Sequence, residues 1–162
     1  MNNTRLICAS STDVPQIKNN YADFTITCPP YWNLERYDGG KQDLSMCTTY
    51  TRYLRMLYAV IRETYRILKP DTLSCWVVGL IRDKKSKELL PIHHDLTRLH
   101  KSVGFSLKEE IVLHLKNTGS VGRVGNFERG NNFLIRTHEY LMVYKKPNLK
   151  EQGGKRKFSR GD

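Results

Sequence analysis

The sequence predicts an α/β fold, a mainly parallel sheet with crossover helices that ends in an antiparallel hairpin. Apolar stretches with strand character alternate with two amphipathic helical stretches, and this alternation is typical of parallel sheets. The last two strand-like stretches follow each other without a helix between them, which favours an antiparallel pair. Hydrophobic residues make up 39% of the 162 residues, enough for one packed domain.

The first elements lie before residue 28. Residues 5–9 form a short strand candidate, and the polar residues 10–13 favour a turn or short helix that ends near Asn20. Residues 23–27 form a second short apolar strand. We expect this strand to be an open sheet edge that a partner chain, self-association or a covering segment protects.

A helix is predicted over residues 48–68, because apolar residues recur there at steps of three and four. Pro70 ends the helix, since a proline disfavours helical geometry in the residue before it. The apolar stretch 73–81 is typical of a buried parallel strand. The stripe that we assign to the core consists of Tyr53, Leu54, Leu57, Ile61, Tyr65 and Leu68.

The second half predicts a helix over 91–103 with Gly104 as its stop, and strands over 105–115 and 139–144. A glycine-containing loop over 119–132 connects these two strands. Residues 1–147 form the predicted folded domain, and 148–162 form a basic tail that we expect to be disordered. We expect the three histidines of the second helix to lie on its surface rather than to bind zinc; they are His93, His94 and His100.

Composition limits the partners. A net charge of +11 favours a polyanion, nucleic acid first. We find no signal peptide and no membrane span, so we expect a cytoplasmic protein without a membrane partner. The cysteines at 8, 28, 47 and 75 form no C-x-x-C pair, which favours reduced thiols without a disulfide frame or metal site.

Cys28-Pro29-Pro30-Tyr31 follows the strand over 23–27. A proline pair does not continue a strand ladder, because each proline lacks an N–H and has a fixed φ. The chain therefore leaves the strand in a stiff turn, which frees the carbonyls of Cys28 and Pro29 and presents the ring of Tyr31. Two acceptors beside a flat ring suit an amino-bearing base. The alternative is a Pro-Pro loop beneath a core cluster of Tyr31 and Trp32.

Two stretches carry a resemblance to a known family. Residues 28–37, C-P-P-Y-W-N-L-E-R-Y, resemble motif IV of the amino DNA methyltransferases in their phage and bacterial branch, and residues 137–145, T-H-E-Y-L-M-V-Y-K, resemble motif VIII. The resemblance covers about 20–147 of the chain. It implies part of a Rossmann-like S-adenosylmethionine-dependent methyltransferase fold. The implied activity is methyl transfer from that cofactor to the exocyclic amine of adenine (N6) or cytosine (N4) in DNA.

The resemblance also implies site residues. The carbonyls of Cys28 and Pro29 would accept hydrogens of the target amine, Pro30 would stiffen the turn, and Tyr31 would stack on the flipped base. The family usually has Asp, Asn or Ser at position 28. Two further candidates for base or substrate contact are Trp32 and His138. The alternative for Trp32 is core packing, and the alternative for His138 is a structural histidine of the strand. Candidate DNA-binding residues are Arg123, Arg129, Lys145 and Lys146.

The family's glycine-rich cofactor loop is missing. Gly119, Gly122 and Gly125 lie between late strands, and we interpret them as a flexible connection rather than a phosphate cradle. We therefore assign no cofactor-binding residues, and expect a second chain or a missing segment to supply the cofactor half. The family often has an acidic residue bordering the cofactor where this chain has Ala9-Ser10-Ser11. Two alternatives stay open, a catalytically degenerate methyltransferase-like protein that binds nucleic acid and an unrelated basic interaction module.

Overall fold

A mixed four-stranded sheet forms the centre of the protein. The computed structural model describes residues 4–37, 39–115 and 137–148, without the side chain of Lys41. The elements in chain order are β1 (Ala22–Thr27), two short 3-10 helices (Gly40–Gln42 and Leu44–Met46), α1 (Tyr50–Ile67), β2 (Leu68–Gly79), β3 (Ile81–Arg82), β4 (Leu89–Leu90), α2 (Ile92–Val103), β5 (Ser106–His114) and β6 (His138–Lys145).

The strand order in the sheet is β1-β2-β6-β5. β1 and β2 are parallel, whereas β6 runs antiparallel to both β2 and β5. Because β6 reverses between them, β5 is parallel to β2. The predicted α/β class and the closing antiparallel pair are confirmed, and β1 lies at one edge of the sheet as expected. β3 and β4 form a separate two-stranded ladder.

The predicted stripe of α1 lies in the core. Tyr53, Leu57 and Ile61 are fully buried and pack in one cluster with Trp76 and Met142 of the sheet. The side chain of Thr49 caps the helix by accepting a hydrogen bond from the amide of residue 52. No helix in the described part of the chain is both long and apolar enough to span a bilayer.

The expectation of surface histidines on α2 was wrong for two of the three. His93 and His100 are buried, because they lie on the same helical stripe as Leu96. The ring of His100 stacks on Tyr144 with centroids 3.7 Å apart, and its Nδ1 lies 2.8 Å from the Leu96 carbonyl oxygen. Burial lowers the pKa of His100 to about 3, so the ring enters the core neutral. Within the described ranges, no group of side chains could hold a metal ion.

The strand predicted over residues 5–9 was also wrong. These residues form no strand, and the Leu6 side chain is 93% exposed. The following residues form turns along α1, where the Val14 amide donates to Glu63 Oε1 at 2.8 Å and Arg66 donates to the Val14 carbonyl at 3.0 Å. Within the described ranges, the N-terminal segment therefore hydrogen-bonds to α1 and adds no strand to the outer edge of β1.

Candidate active site

The candidate site lies at the end of the sheet where β1 and β2 finish. Thr27 is paired with Trp76 at the end of β1, and Gly79 at the end of β2 is paired with Glu139 at the start of β6. The turn that begins at Cys28 therefore reaches Gly79 and Glu139. In open α/β sheets, ligands bind beyond the carboxyl ends of parallel strands.

Tyr31 is held in this site from three sides. Its hydroxyl donates to Glu139 Oε1 at 3.1 Å and lies 3.4 Å from Cys28 Sγ. A Cβ at Gly79 would lie 3.3 Å from both Glu139 Oε1 and Tyr31 Cε2, so the glycine allows the ring to lie close to the strand. Burial, followed by the neighbouring Cys28 and Glu139, raises the pKa of Tyr31 well above its usual value, and the hydroxyl stays a neutral donor near pH 7.

The backbone of the Pro-Pro turn presents unpaired acceptors. The Tyr53 hydroxyl donates to the Pro30 carbonyl at 2.9 Å, and the Leu34 amide donates to the Tyr31 carbonyl at 3.1 Å. Among the described residues, we observe no hydrogen bond to the carbonyl oxygens of Cys28 or Pro29. Cys28 is exposed and Pro29 is buried. Hydrogen bonds to the carbonyls of Pro30 and Tyr31 thus fix the turn, while the carbonyls of Cys28 and Pro29 have no hydrogen-bond donor among the described residues.

Trp32 lies in the core and not on the open side of the turn. Its side chain is 7% exposed, its indole N–H donates to the Cys47 carbonyl at 3.0 Å, and its ring lies 5.5 Å from that of Tyr50. Its φ of +46° costs about 1–2 kcal/mol in a residue with a Cβ. Burial of the indole offsets this strain and anchors the turn to the core.

His138 lies one residue before Glu139 but on the opposite face of β6, because successive strand residues alternate between faces. Its Nε2 is 3.2 Å from the Tyr140 hydroxyl, and the Tyr140 ring stacks on His93 of α2. Glu139, rather than His138, therefore lies on the face of Tyr31. Sequence reasoning missed Glu139, Gly79 and Tyr53; the available signal for Glu139 was its place beside His138 in the motif VIII stretch.

The two lysines assigned to DNA binding lie at the other end of the sheet. Lys145 follows Glu139 by six residues, about 20 Å along a strand, and forms an ion pair with Asp71. Lys146 is buried and donates to Asn20 Oδ1 at 2.8 Å, to the Tyr65 carbonyl at 2.7 Å and to the Leu68 carbonyl at 2.8 Å. Arg123 and Arg129 lie outside the described residues.

A cleft of about 430 Å³ lies beside the turn. Cys8, Ser10, Ser11, Pro30 and Asp43 are among its lining residues. Ser10 and Ser11 belong to the segment 9–11, which lies where, by resemblance, the family has a segment that borders the cofactor. The Asp43 carboxylate already accepts hydrogen bonds from the amides of residues 39 and 45.

The comparisons with known proteins agree with this geometry. A family model described as DNA methylase, covering N6 and N4 methyltransferases, matches residues 22–159. The chain belongs to this DNA methylase family. No curated protein matches its sequence.

Solved structures show the same fold. A Thermus thermophilus protein assigned as a DNA modification methylase is 25% identical, with a TM-score of 0.62 over 94% of this chain and 56% of that one. Its complex with S-adenosyl-L-methionine is 25% identical, with a TM-score of 0.58 over 82% of this chain and 48% of that one. The cytosine-N4-specific PvuII DNA methyltransferase is 13% identical, with a TM-score of 0.58 over 80% and 44% of the two chains, and this likeness concerns the fold alone.

The fold is that of the Rossmann-like S-adenosylmethionine-dependent methyltransferases, as the resemblance implied. The DNA methylase chain spans about half the length of these solved relatives. The described residues hold the motif IV turn and the motif VIII strand.

Proposed function

We propose that this chain is the catalytic part of a DNA methyltransferase that transfers a methyl group from S-adenosylmethionine to the exocyclic amine of adenine (N6) or cytosine (N4). The observation that carries the proposal is the position of the Tyr31 ring. Glu139 and Gly79 hold it beside the two unpaired carbonyls of Cys28 and Pro29.

This geometry suits direct methylation of an aromatic amine. The amine lone pair is delocalised into the base, so the amine is a poor nucleophile. Carbonyl acceptors on its hydrogens favour the pyramidal form, whose lone pair attacks the methyl carbon; the N–C bond forms as the S–C bond breaks, and the amine then releases a proton. The site contributes positioning and preorganised dipoles.

Tyr31 would provide the stacking surface for the flipped base. Base–aromatic stacking contributes about 1–3 kcal/mol, which offsets part of the few kcal/mol that flipping costs. A ring already fixed by Glu139 loses little further freedom when a base stacks on it. Trp32 and Tyr53 support this surface from the core.

The cleft beside Pro30 fits only part of a cofactor site. It offers the hydroxyls of Ser10 and Ser11, and its carboxylate, Asp43, is already engaged by backbone amides. The part of the chain that the structure describes contains no glycine-rich loop after a strand. We infer that the remaining cofactor contacts come from another segment or a second chain, and that S-adenosylmethionine supplies the methyl group there.

For DNA binding we propose Arg123 and Arg129, supported by the net charge of +11. Lys146 is a weaker candidate, because a phosphate contact would require the loss of internal hydrogen bonds. The enzyme would act where the DNA lies, in the cytoplasm of a bacterial, archaeal or phage-infected cell.

One observation favours a second candidate function, a degenerate methyltransferase that binds nucleic acid without catalysis. Cys28 stands where the family usually has an oxygen-bearing side chain, and sulfur is a weak acceptor. Its Sγ also lies 3.4 Å from the Tyr31 hydroxyl oxygen, within hydrogen-bond distance.

The test is nucleoside mass spectrometry of DNA from methylation-deficient cells that express this chain together with its cofactor part. We expect N6-methyldeoxyadenosine or N4-methyldeoxycytidine, at a lower level with the Tyr31→Ala variant than with the wild type. The matched control is Tyr21→Ala, an exposed tyrosine before β1. DNA binding without either modified nucleoside would favour the degenerate protein.

A further inference from the structure

The two-stranded ladder of β3 and β4 lies next to the candidate active site. Residues 81–90, which we call the lysine hairpin, begin just after β2 and end just before α2. The base of the hairpin is held in the core, where both Ile81 and Leu90 are buried. Because Gly79 at the end of β2 lies against the Tyr31 ring, the hairpin extends from the end of the sheet that holds the proposed base site.

Hydrogen bonds join the lysine hairpin to the turn that carries Tyr31. The Lys84 ammonium donates to the Leu34 carbonyl at 3.1 Å, and the Asn33 side-chain amide donates to Asp83 Oδ1 at 3.4 Å. The backbone amide of Leu34 in turn donates to the Tyr31 carbonyl at 3.1 Å. The position of the hairpin is therefore fixed relative to the proposed stacking surface.

Asp83 fixes the backbone of the hairpin. Its carboxylate accepts hydrogen bonds from the Ser86 amide at 3.0 Å, from the Ser86 hydroxyl at 2.8 Å and from the amide of residue 85 at 3.3 Å. These donors, Ser86 foremost, lower the pKa of Asp83 to about 2, so the carboxylate is ionised near pH 7. The Arg82 guanidinium also donates to the Lys87 carbonyl at 2.6 Å. The hairpin thus has a defined shape to which the Lys85 and Lys87 ammoniums contribute no described hydrogen bond.

Three lysines give the hairpin a positive surface. Lys84, Lys85 and Lys87 are exposed, and among the described residues none of their ammoniums forms an ion pair, although Glu88 is exposed on the same hairpin. Lys87 has a φ of +61°, a conformation for which hairpin loops favour glycine or asparagine. A glycine there would relieve the strain, but it would also remove a positive charge from the edge of the base site.

We propose that the lysine hairpin binds the DNA backbone, with Lys85 and Lys87 in contact with the phosphates on either side of the nucleotide whose base enters the Tyr31 site. This proposal rests on the proposed function. A base that leaves the duplex stays attached to its sugar and phosphates, so these phosphates come to the rim of the site that receives the base. Ammonium groups bind phosphates without reading bases, and they position the strand whatever its sequence.

The arrangement suits a nucleotide better than an acidic protein. The Tyr31 ring offers a flat surface to a base, the hairpin next to it offers cations to phosphates, and a nucleotide carries both groups. Flexible four-carbon stems let the ammoniums of Lys85 and Lys87 reach neighbouring phosphates of one strand. An acidic protein would match the lysines but would leave the ring without a base. Each phosphate contact releases counterions, so the contact affects the salt dependence of binding.

The salt dependence of duplex binding tests the contact. Lys85→Gln combined with Lys87→Gln removes two charges and leaves the backbone strain at residue 87 unchanged. We expect anisotropy titrations of duplex DNA with the full chain to show a log–log salt slope that is flatter by about two units. The affinity that the variant loses should then be roughly tenfold smaller at about 200 mM salt than at about 50 mM.

The matched control is Lys18→Gln combined with Lys101→Gln. Both lysines are exposed, and they lie at the opposite end of the sheet, before β1 and in the last turn of α2. This pair should leave the salt slope unchanged. Both double variants should unfold at the wild-type urea concentration, because none of the four ammoniums makes a described hydrogen bond.

Neutral methylphosphonate linkages locate the contact on DNA. They replace the phosphates on either side of a mismatched nucleotide, which leaves the duplex at a lower cost than a paired one. Wild type and the variant with Lys85→Gln and Lys87→Gln should bind this duplex equally, because the contact is already lost from the DNA side. Linkages placed about ten base pairs away should preserve the difference between the two chains.

The other outcomes contradict the hairpin contact. A wild-type slope in the variant, or no duplex binding by the full chain, would leave the lysines to an acidic protein partner. A slope that the control pair flattens equally would show an effect of net charge alone. A difference that survives the flanking methylphosphonates would place the contact elsewhere on the duplex.

Methylation by the complete enzyme separates this proposal from the proposed function. If the hairpin and the flanking phosphates are coupled in an enzyme that does not methylate DNA, the proposed function alone is overturned. If the enzyme methylates DNA without this coupling, the hairpin contact alone is overturned.

Discussion

At the residue scale, the hydrogen bond from Tyr31 to Glu139 connects the motif IV turn to the motif VIII strand. These residues are 108 positions apart in sequence, and only the pairing of β2 with β6 brings them together. Glu139 touches Tyr31 and no described substrate, so we regard it as a positioning residue. Its carboxylate fixes the direction of the ring.

Glu139→Ala should destabilise the protein by about 1 kcal/mol, since the partly buried Tyr31 hydroxyl loses its acceptor. Glu139→Gln should cost less, because the amide oxygen still accepts. Urea unfolding of the two variants checks this order. Equal costs for both substitutions would show that the charge, and not the hydrogen bond, stabilises the ring.

The position of Tyr31 directly after the Pro-Pro turn follows from the sequence, because proline chemistry is local, whereas its role at the site stays a prediction. The sequence does not predict a role for Gly79, since the lack of a Cβ there matters only because the Tyr31 ring lies against it. The motif VIII stretch alone indicates His138 and not Glu139, because only the position of Tyr31 shows which face of β6 borders the site. Trp32 is local to the turn, but its burial depends on the distant Cys47 and Tyr50.

At the element scale, Lys146 secures the end of α1. Its ammonium donates to the carbonyl of Tyr65 in the last turn of α1 and to the carbonyl of Leu68 at the start of β2, and burial lowers its pKa. In the sequence the same residue lies just before the basic tail and is a candidate for DNA binding. The helix and strand types were predictable from periodicity, whereas this contact between the residue after β6 and α1 was not.

Lys146→Met should destabilise the protein by about 1–3 kcal/mol, because buried carbonyls lose their donor. Lys69→Met is the control; its ion pair with Asp23 is exposed and should contribute less than about 1 kcal/mol. Chemical denaturation gives both values. Lys146→Met should leave the salt dependence of DNA binding unchanged, and a slope reduced by about one would instead identify a phosphate contact.

His100 gives α2 a pH-dependent contribution to stability. Its folded pKa lies below the unfolded value of about 6.5, so the stabilisation is complete above that pH and is lost as pH falls toward 3. Between pH 7 and pH 5 this loss amounts to about 2 kcal/mol. Unfolding free energies should therefore depend less on pH in His100→Phe than in the wild type.

The control for this measurement is the exposed His94, whose replacement by Phe should leave the pH dependence intact. If His100→Phe retains the full wild-type dependence, the buried ring is not its source.

At the scale of the whole molecule, the charge of +11 favours a polyanion partner, and the DNA binding that we propose should release counterions. Arg123→Ala combined with Arg129→Ala should flatten the log–log salt slope by about two units and weaken all sequences alike. Anisotropy titrations of duplex DNA at several salt concentrations measure this slope. A double variant with the wild-type slope would move the DNA contact to the basic tail.

The α/β class and the closing antiparallel pair were predictable because strand and helix periods, turn residues and the two motif stretches agree with one another. The exposure of one sheet face was not predictable, because Phe24, Ile26 and Ile111 resemble ordinary strand residues until the sheet face that the helices cover is known. Residues 5–9 were misassigned since an apolar stretch indicates a strand only where a neighbouring strand can pair with it.

The central claim is that the target base stacks on Tyr31 in the motif IV site. It is tested most directly by kcat/KM for methyl transfer to DNA, measured for the complete enzyme with Tyr31→Ala, Tyr31→Phe and the control Tyr21→Ala. We expect a loss of about 5- to 150-fold for Tyr31→Ala, equivalent to about 1–3 kcal/mol of stacking, a small change for Tyr31→Phe and none for the control. A Tyr31→Ala enzyme with wild-type kcat/KM would contradict the account.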